Sequence, residues 1–171
     1  EYVATSLFMT AGVMLFYIGL VTHKVIVIIG IELMLSGWSI AVYVLFRILL
    51  TTPAQDKRHA RVTSVALLMG WIGVAAYLFW LVTDSSAVLD FARHAGIWLF
   101  LLPIVLTVSH RMIPFFSSRV LDNYDMVRPF WMLWLMLACI VAHGALQWLE
   151  LFAYLWVVDF PLMSYDEERG G

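Results

Sequence analysis

Val25-Ile26-Val27-Ile28-Ile29 is a stretch in which every side chain is apolar, and the run from Leu133 to Ala142 shows the same all-round apolarity. A membrane β-barrel strand would alternate polar and apolar residues, so both stretches argue against strands. The β-branched residues of the first stretch favour strands in water, but in lipid each backbone group must be bonded within its own segment. Both stretches therefore predict membrane-spanning helices.

Apolar segments of this kind occur five times along the chain. The predicted spans cover approximately residues 3–22, 25–50, 63–83, 91–109 and 130–158, and an acidic tail follows at 159–171. Each span is near or above the ~17–25 residues that a membrane helix needs. Of the 171 residues, 63% are hydrophobic and 13% charged, with a mean hydropathy of +0.91, whereas globular chains are about 25% charged. The predicted fold is an all-α, polytopic transmembrane helical bundle forming a single membrane domain in a lipid bilayer.

Several classes of function are disfavoured by composition and motifs. The net charge is −2 and no stretch is strongly basic, so no nucleic-acid partner is expected. The sequence contains no P-loop, nucleophile elbow, HExxH or CxxCH motif, and the question of enzyme activity stays open. Because the chain enters an apolar span directly after Glu1, we expect it to be part of a longer protein. Further N-terminal helices, or helices of a partner, would then complete the bundle.

The distribution of positive charge predicts an orientation. With five spans, the chain start and the loops at 51–62 and 110–129 share one side of the membrane. Seven positive residues belong to that side and three to the other: Arg47, Lys57, Arg58, Arg61, Arg111, Arg119 and Arg128 against Lys24, Arg93 and Arg169. The positive-inside rule places the first side in the cytoplasm.

One face of the fifth span collects side chains that can bind metals. At 100° per residue, five residues lie within about 40° of His143: Met132, Met136, Cys139, Gln147 and Glu150. Thioether and thiolate favour soft metals, and imidazole serves copper, zinc or haem iron. Packing is the competing interpretation for Met and Cys, so His143 is the candidate ligand on this face.

The second span carries an acidic residue, Glu32. An unpaired carboxylate in lipid would be protonated or would need a partner. Arg47 is about 22 Å away along the helix and too far, so the partner is undetermined. An interhelix hydrogen bond and a role in proton or ligand handling both stay open. Gly12 and Gly19 are spaced to let helices approach closely.

The end of the fourth span combines prolines with His110 and Arg111. Pro103, Thr107, His110 and Pro114 lie on nearly one helix face, and each proline removes a donor. We therefore expect the helix to kink and then break around His110. Arg111 is either an interfacial anchor or a partner for an anion such as a haem propionate.

Three further histidines lie at or near the predicted ends of spans. His94 is about 24 Å and 160° from His110 on one α-helix, so one metal cannot bind both. His23 lies on the same side of the membrane as His94, and the two could bracket one haem iron or could simply be solvated. His59, in a basic loop, is expected to be solvated.

The segment from Phe91 to Leu121 resembles the signature region of the NnrS family of bacterial membrane proteins. The similarity is concentrated in His110-Arg111-Met112-Ile113-Pro114-Phe115-Phe116-Ser117, where the family commonly shows arginine, two apolar residues, proline, an aromatic and a small hydroxyl residue. His110 stands where a glycine is frequent. Family members are about twice as long, so the resemblance implies a C-terminal part. It also implies a haem- and copper-containing protein that lowers nitric oxide and related nitrosative stress.

Two hypotheses of function follow. In the first, the chain is an NnrS-like protein of the bacterial inner membrane that binds haem and/or copper. His110 and His143 are then the preferred ligands, and Arg111 is an electrostatic partner of the bound group. In the second, it is a metal-free transporter or a structural bundle subunit, in which Glu32 and the prolines shape a solute path.

Overall fold

The computed structural model describes residues 1–53, 57–121 and 129–148. Five helical rods follow one another: α1 (Tyr2–Val21), α2 (Lys24–Thr51), α3 (Arg58–Thr83), a continuous rod of α4 (Ser86–His94), a π-helical segment (Ala95–Leu101) and α5 (Leu102–Val120), and finally α6 (Phe130–Trp148). Each rod is long and apolar enough to cross a membrane, and no strand occurs within these ranges. The predicted all-α bundle with five spans is confirmed. Glu150 and the acidic tail 159–171 lie outside the described residues.

The outer surface of the bundle is apolar. Only 11% of the most apolar window of α1 and 28% of that of α2 are buried inside the chain, and large side chains such as Leu7, Val82 and Trp134 are exposed. Water would oppose the exposure of so much apolar surface, whereas lipid is as apolar as leucine. The chain is therefore an integral membrane protein whose helices are solvated by lipid.

Glycines allow α1 and α2 to pack with their backbones in contact. A Cβ atom on Gly12 would lie 2.7 Å from the carbonyl oxygen of Gly30, and one on Gly30 would lie 2.6 Å from the backbone nitrogen of Phe16. A Cβ on Gly19 would lie 2.5 Å from the nitrogen of Val27. Close approach through small residues is the usual way that helices associate in lipid. The packing role predicted for Gly12 and Gly19 is confirmed.

The predicted break at His110 is wrong, because α5 continues through Pro114 to Val120. Helical bonding is present beyond the proline, where the backbone N–H of Leu121 donates to the carbonyl of Ser117 at 3.0 Å. An interior proline removes one N–H, and near the membrane surface water can bind the carbonyl that loses its donor. The irregularity of this rod lies earlier, in the π-helical segment immediately before α5.

Two exposed ion pairs mark the ends of the bundle. Lys24 pairs with Asp84 at 3.4 Å, and Arg47 pairs with Glu1 at 3.9 Å. We call these ends the Lys24 end and the Arg47 end. Exposed pairs of this kind contribute only about 0–1 kcal/mol each, so they identify neighbouring helix ends rather than hold the bundle together.

Candidate functional site

A cavity of about 480 Å³ lies between the rod of α4 and the π-helical segment on one side and α6 on the other. Its walls are aromatic and small side chains: Phe91, Ala95, Trp98, Gly144 and Trp148. The volume falls within the ~300–1,000 Å³ that ligand pockets occupy. Such a lining suits a flat, apolar molecule and offers it few polar contacts.

His94 is the one titratable residue among those that line this cavity. Its Nδ1 lies 2.7 Å from the backbone carbonyl oxygen of Asp90. A carbonyl oxygen only accepts, so Nδ1 carries the proton and Nε2 of the neutral ring keeps its lone pair. Nε2 is buried and has no hydrogen-bond partner among the described residues. In metal sites, a ligating imidazole is commonly oriented in this way by a carbonyl bonded to its second nitrogen.

The π-helical segment sets which side chains face the cavity. Within it, the N–H of Leu102 bonds to the carbonyl of Ile97, five residues earlier, so one turn holds an extra residue. Pro103 follows directly after the segment and, since it has no N–H, cannot continue the regular bonding of the rod. Single π turns inside α-helices occur frequently at functional sites. Here the segment begins directly after His94.

Gly144 allows α6 to approach Trp98 closely. A Cβ on Gly144 would lie 2.8 Å from both Cβ and Cγ of Trp98. The neighbouring His143 is half-buried and its ring centroid lies 4.7 Å from that of Trp98. His143 therefore borders the cavity behind its Trp98 wall but is not one of the residues that line it.

A second pair of imidazoles lies at the Arg47 end. Nε2 of His59, at the start of α3, is 3.2 Å from Nδ1 of His110 on α5. Phe130, the first residue of α6, contacts both rings, with centroid separations of 5.4 and 6.2 Å. The Arg58 guanidinium lies 4.5 Å from the centroid of Phe130. Three helices therefore meet around two histidines.

The two preferred ligands of the sequence analysis are not brought together. His110 contacts the start of α6 through Phe130, while His143 lies thirteen residues further along the same helix, about 20 Å away. His110 and His143 thus belong to different places in the bundle. Arg111, next to His110, is exposed.

The other predicted candidates are also dispersed. His23 is exposed at the start of α2 and does not line the cavity that contains His94. Cys139 and Glu32 are exposed on α6 and α2. Within the described ranges, no group of three His, Cys, Asp or Glu side chains could hold one metal ion.

His59 is the site residue that sequence reasoning missed, since it was expected to be solvated. Its helix starts at the Arg47 end, where α5 also ends. Two histidines near the same membrane surface on antiparallel spans could have been paired by topology. Their separation in sequence of 51 residues gives no such signal by itself.

A second cavity, also of about 480 Å³, lies between the first three helices and the rod of α4. Trp38 and Gly96 are among its lining residues. The indole Nε1 of Trp38 is buried without a hydrogen-bond partner among the described residues. A Cβ on Gly96 would meet nothing within 4 Å, so open space adjoins that residue.

Fold and sites together define a polytopic α-helical membrane protein with histidines at two separate places in its bundle. A family model for the NnrS protein matches residues 1–164. The chain therefore belongs to the NnrS family, as the resemblance around Arg111 and Pro114 predicted. Neither a curated protein nor a solved structure matches it.

Proposed function

We propose that this chain is a haem- and/or copper-binding protein of the bacterial inner membrane that acts against nitric oxide and related nitrosative stress. Membership of the NnrS family supports this proposal. The single observation that carries it is the buried, unpartnered Nε2 of His94 beside an aromatic cavity. An imidazole nitrogen left without a hydrogen bond in an apolar place is costly unless it serves a ligand.

The residues present fit a haem. His94 would hold the iron through Nε2, and the carbonyl of Asp90 fixes the ring orientation that this requires. Trp98 and Trp148 would pack against the macrocycle, and Phe91 closes the wall beside Trp148, with ring centroids 6.0 Å apart. When bound, haem supplies an iron whose ligand chemistry is set by the polarity of its pocket. The lining around His94 is almost entirely apolar.

Arg111 does not line this cavity. It is seventeen residues from His94 along the rod, about 25 Å away, so it cannot pair with a haem that His94 holds. Its pairing with a haem propionate stays a prediction for a haem at the Arg47 end. His143 could influence a haem in the cavity only through Trp98, on which its ring packs. We therefore propose His94, rather than His110 or His143, as the haem ligand.

The test is the optical spectrum and metal content of the purified chain expressed with haem and copper available. The wild type should show a Soret band with near-stoichiometric iron, and His94→Ala should lose most of it. His94→Gln, which keeps a polar side chain of similar size, should lose it too. His23→Ala is the matched control, because His23 is an exposed histidine, and it should retain the wild-type spectrum.

Two results would contradict the proposal at different levels. If the wild type contains neither iron nor copper above background, the proposed haem and copper function is wrong. A normal Soret band in His94→Ala together with its loss in His143→Ala would return the ligand role to the residue that the sequence analysis favoured.

A metal-free transporter is the second candidate. The second cavity favours it, because the indole N–H of Trp38 and the open space beside Gly96 are what a bound solute would fill. The two candidates differ in metal content, so the same elemental analysis distinguishes them. A chain that folds with full helical content but without iron or copper favours the transporter.

A further inference from the structure

His59 and His110 have the spacing of two ligands of one metal ion. Their facing nitrogens, Nε2 and Nδ1, are 3.2 Å apart. Two imidazole nitrogens bound at ~2.0–2.1 Å to one tetrahedral ion lie about 3.3 Å apart. An ion could therefore take the place of the proton that joins the two nitrogens, once His59 carries its own proton on Nδ1.

The second nitrogen of His110 supports this role. Its Nε2 lies 3.4 Å from the backbone carbonyl oxygen of Pro129. Because a carbonyl only accepts, Nε2 is the donor of this long hydrogen bond, and a neutral His110 then keeps its lone pair on Nδ1, which faces His59. Ligating histidines characteristically donate their other N–H to a carbonyl in this way.

We propose that His59 and His110 bind a first-row transition-metal ion, copper or zinc, at the Arg47 end of the bundle. Imidazole is a preferred ligand of both metals. The Arg58 guanidinium lies over the Phe130 ring, which itself packs against both histidines. This nearby positive charge favours a cuprous ion over a divalent one, since the repulsion is proportional to the ion's charge.

This site is distinct from the His94 cavity. His94 and His110 are sixteen residues apart on one rod, about 24 Å along its axis. The inference rests on the proposed function only in naming copper as a metal of this protein. Loss of the haem assignment would leave the His59 and His110 geometry unchanged.

The experiment titrates the purified full chain with Cu(I) against a chromophoric chelator, and separately with Zn(II). Wild type should bind one equivalent. His59→Gln and His110→Gln should each weaken binding by at least roughly tenfold, which is the scale on which even supporting residues of metal sites act. The double variant should be little weaker than either single variant, because the first substitution already breaks the site. His23→Ala should bind as the wild type does.

The glutamine variants separate a metal site from a hydrogen bond between two rings. Glutamine can donate and accept a hydrogen bond, so the helical content and thermal unfolding temperature should stay near the wild-type values while metal affinity falls. Wild-type affinity in both glutamine variants would overturn the proposal, as would a wild type that binds no more metal than the double variant. The Soret band recorded on the same samples tests the haem proposal separately: it should persist in these variants and be lost in the two His94 variants.

Discussion

Gly30 and Gly73 are both buried helix glycines, but the space around them differs. A Cβ on Gly30 would lie 2.6 Å from the backbone nitrogen of Phe16, whereas one on Gly73 would meet its nearest atom, the Cβ of Ala95, at 3.4 Å. The first distance requires α1 to move, and the second is an ordinary contact. Backbone proximity, rather than the glycine itself, decides what each position tolerates.

We expect Gly30→Ala to destabilise the protein by about 1–3 kcal/mol, the cost typical of overpacking. Gly73→Ala should be neutral or stabilising by about 0.5–1 kcal/mol, because alanine loses less conformational freedom in a helix. Unfolding of the detergent-solubilised variants by heat or by a denaturing detergent measures both. Equal effects of the two substitutions would contradict the close packing of α1 on α2.

The sequence predicted the roles of some individual residues but not the partners of others. Gly12 and Gly19 were identified correctly because small residues seven apart lie on one helix face. His94 was identified as a ligand candidate, but its pairing with His23 was not favoured by any pattern and is absent from the described cavity lining. Periodicity gives the direction in which a side chain points, and it does not give the neighbour that the side chain meets.

At the scale of elements, the π-helical segment is the feature that no sequence pattern predicted. The angle of 160° between His94 and His110 was calculated for an uninterrupted α-helix, and the segment Ala95–Leu101 lies between them. Positions on one side of the segment keep their mutual register, as shown by Pro103 and Thr107, which are both buried. Positions across it do not, so the relation between the two sites could not be calculated from spacing.

Deleting Gly96 should let the rod close as a regular α-helix while preserving helicity and both histidine sites. The π-helical turn absorbs one extra residue, so its removal leaves α4 and α5 in their present register. His94 then stays at its cavity and His110 stays beside His59. Circular dichroism, the Soret band and the Cu(I) titration on one preparation measure the three properties.

Gly96→Ala is the matched control, because it keeps the chain length and its Cβ would meet nothing within 4 Å. It should retain both the Soret band and the Cu(I) affinity. A deletion variant that loses either property would show that the turn does not simply absorb one extra residue.

At the scale of the whole molecule, the number of spans was predictable, because each membrane-spanning helix is a long run of residues with high mean hydropathy. The contact between His59 and His110 does not follow from hydropathy, since it depends on which helix ends become neighbours. That grouping follows from antiparallel packing, and the structure places the start of α3, the end of α5 and the start of α6 together. Their positive residues predict that this Arg47 end faces the cytoplasm.

Labelling of introduced cysteines tests this orientation. In a Cys139→Ser background, Thr22→Cys places a thiol at the Lys24 end and Val120→Cys places one at the Arg47 end, and both positions are exposed. A membrane-impermeant maleimide should label Thr22→Cys in spheroplasts and Val120→Cys only in inverted vesicles, because the positive-inside rule places the Arg47 end in the cytoplasm. The reverse pattern would show the opposite orientation.

The π-helical segment also has an evolutionary consequence. One residue inserted into an established α-helix is accommodated by a turn of this kind, so the segment Ala95–Leu101 is where an ancestral insertion would remain visible. Homologous chains should then fall into two length classes between Asp90 and Pro103, differing by a single residue. In the shorter class, the rod should be a regular α-helix over this stretch, with its two ends in the same register as here.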